Sequence, residues 1–145
     1  MKQLLIALAL VAALVALAQM YVAGQTYTPV TRLASPDGMT FTTVQDTTSE
    51  RTACGAANDR FLQPIKQQCK DCEIVFARCE RDYENVQSAL SDIAGIPHHQ
   101  VRAPGIRVHI TGPEAPAKFT CEYIAQDMAK RGLHSSCIAP ASKSS

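Results

Sequence analysis

The chain has 145 residues, of which 19% are charged and 46% apolar, and its formal net charge is +1. This length accommodates one domain with a small core. A charge so close to zero predicts neither a nucleic-acid-binding protein nor a trap for acidic ligands, since both usually carry a strong excess of basic residues.

Residues 1–24 have the pattern of an export signal. Lys2 precedes an apolar run over residues 4–18, which is typical of a secretory signal peptide. The small residues Ala16 and Ala18 suit cleavage before Gln19, and a second possible site follows Gly24. The apolar character continues to Ala23, about 21 residues in all, which is also long enough for an uncleaved anchor. We therefore expect a periplasmic or secreted domain, released or anchored in the inner membrane by residues 1–24.

The first predicted elements are a hairpin, a helix and a strand. The turn residues Pro36 and Gly38 lie within a hairpin predicted over residues 30–44. A helix is predicted to begin near Glu50, and Pro64 predicts a kink or a restart in it. A β-type run follows at residues 73–79.

The second half has the same order after one additional helix. That helix is predicted over residues 82–93, before a second hairpin whose turn contains Pro104 and Gly105. The clearest helical pattern covers residues 114–131 and stops at Gly132. A last strand is predicted at residues 135–139, and residues 141–145 are predicted to be a disordered tail.

The repeated order indicates an internal repeat. Shifting the chain so that Gly38 lies on Gly105 also aligns Phe41 with Val108, Thr43 with Ile110 and Cys54 with Cys121, without a gap. The identities are few, so two unrelated units of the same architecture are the alternative. Both interpretations predict an α+β fold, a ferredoxin-like βαββαβ two-layer sandwich. Its two long helices would lie on one face of an antiparallel sheet, after the N-terminal hydrophobic helix.

All six cysteines lie in the region predicted to form a single disulfide-rich domain, residues 25–140. An even number in an exported domain predicts three disulfides, with 15 possible pairings. Cys54 lies about 24 Å before its helix end, and Cys79 lies about 23 Å into the next strand, so these two should be level. The same estimate pairs Cys121 with Cys137. Elimination then pairs Cys69 with Cys72, and the alternative partner for Cys54 is Cys72.

The CxxC sequence at Cys69 and Cys72 is the sharpest motif in the chain. Redox-active pairs usually lie at a helix N-terminus, where the helix dipole favours the thiolate. Here the motif closes a helix, which favours a structural bridge and leaves a thiol–disulfide oxidoreductase as the alternative. His98 and His99 are adjacent and point apart, so no metal site is predicted. No catalytic residue and no cofactor is predicted either.

The sheet face away from the two long helices is the predicted binding surface. If Cys79 faces the helices, strand alternation turns Arg78 and every second residue before it to the other side. This face is predicted to bind a ligand through Thr40, Thr42, Ile74, Phe76, Arg78, Arg107 and His109. The alternative is that residues 82–93 or the linker cover it.

Residues 106–140 resemble the closing part of a SPOR domain. The resemblance lies in a strand, a polar turn, a helix with Ala and Met spacing that ends in Arg-Gly-Leu, and a short final strand. It implies a βαββαβ module of the bacterial envelope that binds peptidoglycan glycan strands across its open sheet. The first half departs from that pattern by its longer cysteine-rich helix and by the inserted residues 82–93, and no binding residue transfers from the family.

Together these features predict an exported, non-catalytic envelope protein that binds cell-wall glycan or a partner protein. An oxidoreductase that uses Cys69 and Cys72 is one alternative. The other is a structural subunit of an envelope secretion or export assembly. No nucleic-acid partner is predicted.

Overall fold

A computed structural model describes residues 11–17 and 24–140. Residues 11–17 are helical and exposed. The rest of the predicted signal or anchor segment and the predicted tail lie outside the described residues. Within the described ranges, no helix combines the length and the apolar character needed to cross a membrane.

The described residues form an α+β fold with one antiparallel sheet. Its strands are β1 (Tyr27–Ala34), β2 (Thr40–Gln45), β3 (Glu73–Arg81), β4 (His99–Ala103), β5 (Ile106–Thr111) and β6 (Ser136–Ile138). Its helices are α1 (Arg51–Gln68), α2 (Asp82–Ala94) and α3 (Glu114–Lys130). The order of strands across the sheet is β3-β1-β2-β5-β4-β6.

The sheet consists of two ββαβ units joined edge to edge. β1, β2, α1 and β3 form the first unit, and β4, β5, α3 and β6 form the second. At the junction Phe41 pairs with Ile110 and Thr43 pairs with Val108. The alignment of the two halves places Phe41 on Val108 and Thr43 on Ile110, so it exchanges these two pairs. A local two-fold axis therefore passes through the Thr42–His109 pair, which lies between them. The repeated architecture predicted from the sequence is therefore present.

The predicted ferredoxin-like order is not confirmed. A βαββαβ sandwich has four strands, whereas six strands pair here, because each unit begins with a complete hairpin. Gly38 and Gly105 have φ angles of 85° and 77° in the two hairpin turns. Glycine adopts this left-handed conformation without a steric penalty, which explains its use at both equivalent positions.

All three predicted disulfides are present. Cys54 is bonded to Cys79, Cys121 to Cys137, and Cys69 to Cys72. The first two join equivalent elements of the two units, since each links the long helix to the unit's last strand. The third closes a short ring at the C-terminal end of α1, where Cys69 is the cap residue.

The predicted restart at Pro64 does not occur. α1 runs without a break from Arg51 to Gln68, with Pro64 inside it. A proline frees the carbonyl group four residues earlier, which here belongs to Arg60. Both residues are exposed, so water can satisfy that carbonyl group.

The helix between the two units lies on the opposite side of the sheet from α1 and α3. α2 starts directly after β3, at Asp82, whose φ angle is 67°. Aspartate tolerates this left-handed conformation better than most residues do, and the conformation turns the chain sharply. The apolar side of α2 then packs on β1 and β2 through a second small core formed by Val30, Val44, Val86 and Ala89. The main core, on the other face, contains Val101, Val108, Ile110, Ala117, Cys121 and Ala125.

Candidate functional site

Helix α2 divides the predicted binding face into a covered half and an open half. Thr42 is only 1% exposed and accepts a hydrogen bond from Arg32 Nε at 2.9 Å. The same guanidinium group donates to the Ala89 carbonyl oxygen at 3.0 Å and pairs with the Asp92 carboxylate. The hydrogen bond from Arg32 holds the pKa of Asp92 below its ordinary value. The covered half is therefore an internal contact between α2 and the first unit.

Phe76 and Arg78 lie at the border of this contact. Two guanidinium groups contact the Phe76 ring, with the Cζ atom of Arg78 at 4.2 Å and that of Arg32 at 5.0 Å from the ring centroid. Arg78 is exposed, and its Nε atom lies 3.3 Å from Glu80 Oε1. Thr40 is half-buried at the end of the first hairpin. Phe76, Arg78 and Thr40 therefore lie on the predicted face, away from the open half.

Ile74 is displaced from the predicted face by a strand irregularity. β3 pairs Phe76 with Arg32 and Ile74 with Leu33, so Val75 is an extra residue between them. Residues directly opposite each other in an antiparallel pair share a face. Ile74 therefore shares the face of Leu33, toward α1. Simple alternation failed here because the sequence carries no sign of the bulge.

The open half of the face belongs to the second unit and contains a directed chain of hydrogen bonds. Arg102 Nε donates to Gln100 Oε1 at 2.8 Å, which leaves the Gln100 amide nitrogen to donate to His109 Nε2 at 3.3 Å. His109 Nδ1 must then carry a hydrogen, and it lies 3.0 Å from His98 Nε2. His98 Nδ1 in turn lies 2.8 Å from the Ile96 carbonyl oxygen. Every step is satisfied when both histidines are neutral.

Two arginines on this half face lack acidic partners. Arg102 and Arg107 are directly opposite each other on β4 and β5, and both are exposed. Within the described part of the chain, neither guanidinium group has a carboxylate within 4.0 Å. Like charges at directly opposed positions destabilise a sheet. The pair therefore leaves local positive charge on this surface that the net charge of the chain does not reveal.

The same positive charge acts on His109. Burial is the main reason that the pKa of His109 falls to about 4, and the charges of His98, Arg107 and Arg102 lower it further. The hydrogen-bond chain has the same effect, because a second ring proton on Nε2 would face the Gln100 amide donor. His109 is therefore a neutral acceptor at physiological pH.

We expect this histidine to make the fold sensitive to acid. Between pH 6.5 and about 4 the unfolded chain binds a proton at His109 and the folded chain does not, so stability falls as the pH falls through this window. The full shift would correspond to about 3 kcal/mol, and partial exposure of the ring reduces this to about 1–2 kcal/mol. Urea unfolding at pH 7, 5.5 and 4 should show that the free energy of unfolding falls less with decreasing pH in His109→Asn than in the wild type. The control, exposed His134→Asn, should follow the wild type, and an unchanged slope in His109→Asn would contradict the assignment.

Two concavities flank His98 and extend the open half. The first, of about 460 Å³, separates α2 from β5. One wall is apolar and is formed by Val86, Leu90 and Ile93 of α2. The opposite wall is polar and is formed by His98, Arg107 and His109, and Asp46, Asp82 and Tyr83 also line the concavity. The second, of about 560 Å³, is lined by the segment before β4 and by the end of β6. Ala94 and His98 belong to both concavities, so they adjoin and form one extended surface.

The sequence prediction named Arg107 and His109, which lie on this half face, but not their neighbours on β4. Gln100 and Arg102 pair with these two residues across the second hairpin. The Pro104-Gly105 turn fixes that register, so extending the alternation from β5 to β4 would have found both. The contribution of α2 could not be found in this way, because it depends on the reversal at Asp82.

The remaining histidine and cysteine groups have structural contacts. His99 points away from His98, is buried, and has Nε2 at 3.1 Å from the Glu114 carboxylate. Potential ligand atoms of His99, Cys121 and Cys137 lie within 4.8 Å of one another. The two sulfur atoms are bonded to each other, so neither is a thiolate that could bind a metal.

Comparison of the chain with protein-family models, with curated proteins and with solved structures finds no match.

Proposed function

We propose that this chain is an exported cell-envelope protein that binds anionic cell-wall glycan on the open half of its sheet and performs no chemistry. The single observation that carries the proposal is the Arg102–Arg107 pair, which is exposed, directly opposed and without an acidic partner among the described residues. An anion bound between the two guanidinium groups would remove their mutual repulsion. Arginine is well suited to this role, since its planar donors match the geometry of a carboxylate.

The surroundings of the pair favour an extended ligand. The two adjoining concavities continue past His98, so a chain-like molecule could occupy both. Tyr83 is 76% exposed at the start of α2 and lines the first concavity, where its ring could stack on a sugar. Glycan strands of peptidoglycan that have lost their stem peptides combine sugar rings with regularly spaced carboxylates. The resemblance of residues 106–140 to SPOR domains implies the same ligand and the same side of a sheet.

The test is co-sedimentation of the purified protein with insoluble peptidoglycan from which the stem peptides have been removed. Chitin is the matched control polymer, because it has a similar backbone without the carboxylates. Arg102→Gln with Arg107→Gln should weaken binding about 10- to 100-fold, the effect of losing one or two hydrogen bonds to a charged group. The control variant, Arg51→Gln with Arg60→Gln, removes the same charge from exposed positions on α1, on the other side of the sheet. It should bind like the wild type.

The outcomes separate the glycan from other partners. Binding to peptidoglycan glycan but not to chitin, lost in the β4–β5 double variant alone, supports the proposal. Equal weakening in both double variants would show a response to net charge only and would contradict a site on this face. Failure to bind the glycan, together with binding to an acidic polypeptide such as poly-glutamate, would overturn it in favour of a protein partner.

A further inference from the structure

The two long helices leave a cleft between them that the proposed glycan site does not use. α1 lies over β1 and β3, and α3 lies over β4, β5 and β6, so the strand between them, β2, forms the floor of a gap. The gap has a volume of about 370 Å³. It lies on the opposite face of the sheet from Arg102 and Arg107, so a ligand in the cleft and a glycan on the open half would bind independently.

The cleft is lined by apolar atoms alone. The lining residues are Leu33, Phe41 and Thr43 from the first hairpin, Phe61, Ile65 and Cys72 from α1 and its closing ring, Ile106 and Val108 from β5, and Ile124 and Met128 from α3. Protein interiors are normally packed so tightly that few voids exceed the size of a water molecule. Water gains too few hydrogen bonds to fill an apolar space of this kind. The space is therefore suited to an apolar molecule.

The burial of the lining residues favours a small ligand over a protein partner. Leu33, Thr43 and Val108 are buried, and the other lining residues are half-buried. None of them is among the large apolar side chains that the described residues expose to solvent. A protein partner would need an exposed apolar patch, whereas a concave site below the surface admits a slender ligand. A peptide in extended conformation is also unsuitable, since its backbone groups would find no hydrogen-bond partner on these walls.

We infer that this cleft binds one hydrocarbon chain, such as the acyl chain of a free fatty acid. A protein cavity of about 150 Å³ holds one benzene molecule, so at the same density about 370 Å³ holds roughly 15 carbon atoms. That number is close to the length of the myristoyl chain. The Cys69–Cys72 ring contributes Cys72 to the lining of the cleft, which gives this motif a structural role beside the ligand.

The test is a titration of the full chain, labelled at the isoleucine δ1 methyl groups, with myristic acid. Ile65, Ile106 and Ile124 line the cleft, whereas Ile96 and Ile138 line the second concavity on the other face. We expect saturable shifts of the first three methyl signals and unchanged signals for the other two. Octanoic acid should bind at least 10-fold more weakly, because it fills about half of the space.

A cavity-filling variant provides the second readout. Ile124→Phe places a larger side chain in the cleft and so reduces the free volume. It should weaken myristate binding at least 10-fold while the melting temperature stays equal or rises. Absence of shifts at Ile65, Ile106 and Ile124 in the wild type would overturn the inference. So would shifts confined to Ile6, which would place the acid on the N-terminal apolar segment, or shifts at Ile96 and Ile138 alone.

Discussion

Loss of either helix-to-strand disulfide is expected to lower the free energy of unfolding by about 3 kcal/mol. The double variants are Cys54→Ala with Cys79→Ala and Cys121→Ala with Cys137→Ala, whose cysteines are 25 and 16 residues apart. Each bridge restricts the unfolded chain, and closure of a loop of this length is worth about 3 kcal/mol. The difference between the two loops contributes only about 0.4 kcal/mol. Urea unfolding followed by circular dichroism should therefore give nearly equal losses for the two units.

The third disulfide is the control for this prediction. Cys69 and Cys72 are three residues apart, so the variant Cys69→Ala with Cys72→Ala should cost about 2 kcal/mol or less. A loss at this short bridge as large as at the two long ones would contradict the loop-closure account. A negligible loss at one long bridge and a large loss at the other would show that the two units are not stabilised in equivalent ways.

Replacement of Arg32 by methionine is expected to cost about 2–3 kcal/mol and to release α2 from the sheet. The Arg32 side chain is 12% exposed, and it holds three groups together: Thr42, the Ala89 carbonyl oxygen and Asp92. Removing one partner from a largely buried charged network leaves the others without compensation. Because Asp92 is mostly exposed, the loss stays below that of a fully buried ion pair.

Hydrogen exchange can locate this effect. Amide groups of α2 near Val86 and Ile93 should exchange faster in Arg32→Met, whereas those of α3 should keep their protection. Arg78→Met is the matched control, since Arg78 also contacts the Phe76 ring but is exposed and pairs only with Glu80 among the described carboxylates. It should cost less than about 1 kcal/mol. Equal losses in both variants, or unchanged exchange in α2, would exclude Arg32 as the group that holds this helix.

The sequence was sufficient for features that depend on local spacing. The three disulfide pairings followed from the rise per residue of a helix and of a strand, applied to Cys54, Cys79, Cys121 and Cys137. The hairpin turns followed from Pro and Gly at fixed positions. The repeat was visible because equivalent glycines and cysteines keep one constant spacing between the two halves. In the structure β2 pairs with β5 so that residues at equivalent positions of the two halves are related by symmetry.

Features that depend on three-dimensional context were not accessible in the same way. The bulge at Val75 moved Ile74 to the other face, although nothing in the sequence of β3 distinguishes this residue from its neighbours. Coverage of the binding face by residues 82–93 was one of two alternatives from the sequence, and it is present on half of the face because of the left-handed turn at Asp82 and of Arg32, whose partners lie 57 and 60 residues away. The four-stranded order was predicted because each hairpin was counted as a single strand, although hairpin, helix and strand used twice already give six strands.

The most direct test of glycan binding on the open half of the sheet is a nuclear magnetic resonance titration of the ¹⁵N-labelled protein. The ligand is a soluble, peptide-free glycan fragment of peptidoglycan. We expect the largest shifts at the amides of residues 98–102 and 107–109 and at the side-chain Nε–H groups of Arg102 and Arg107. Shifts that decrease with added salt would agree with a charged contact. An unchanged spectrum, or shifts limited to α1 and β3, would contradict the proposed site.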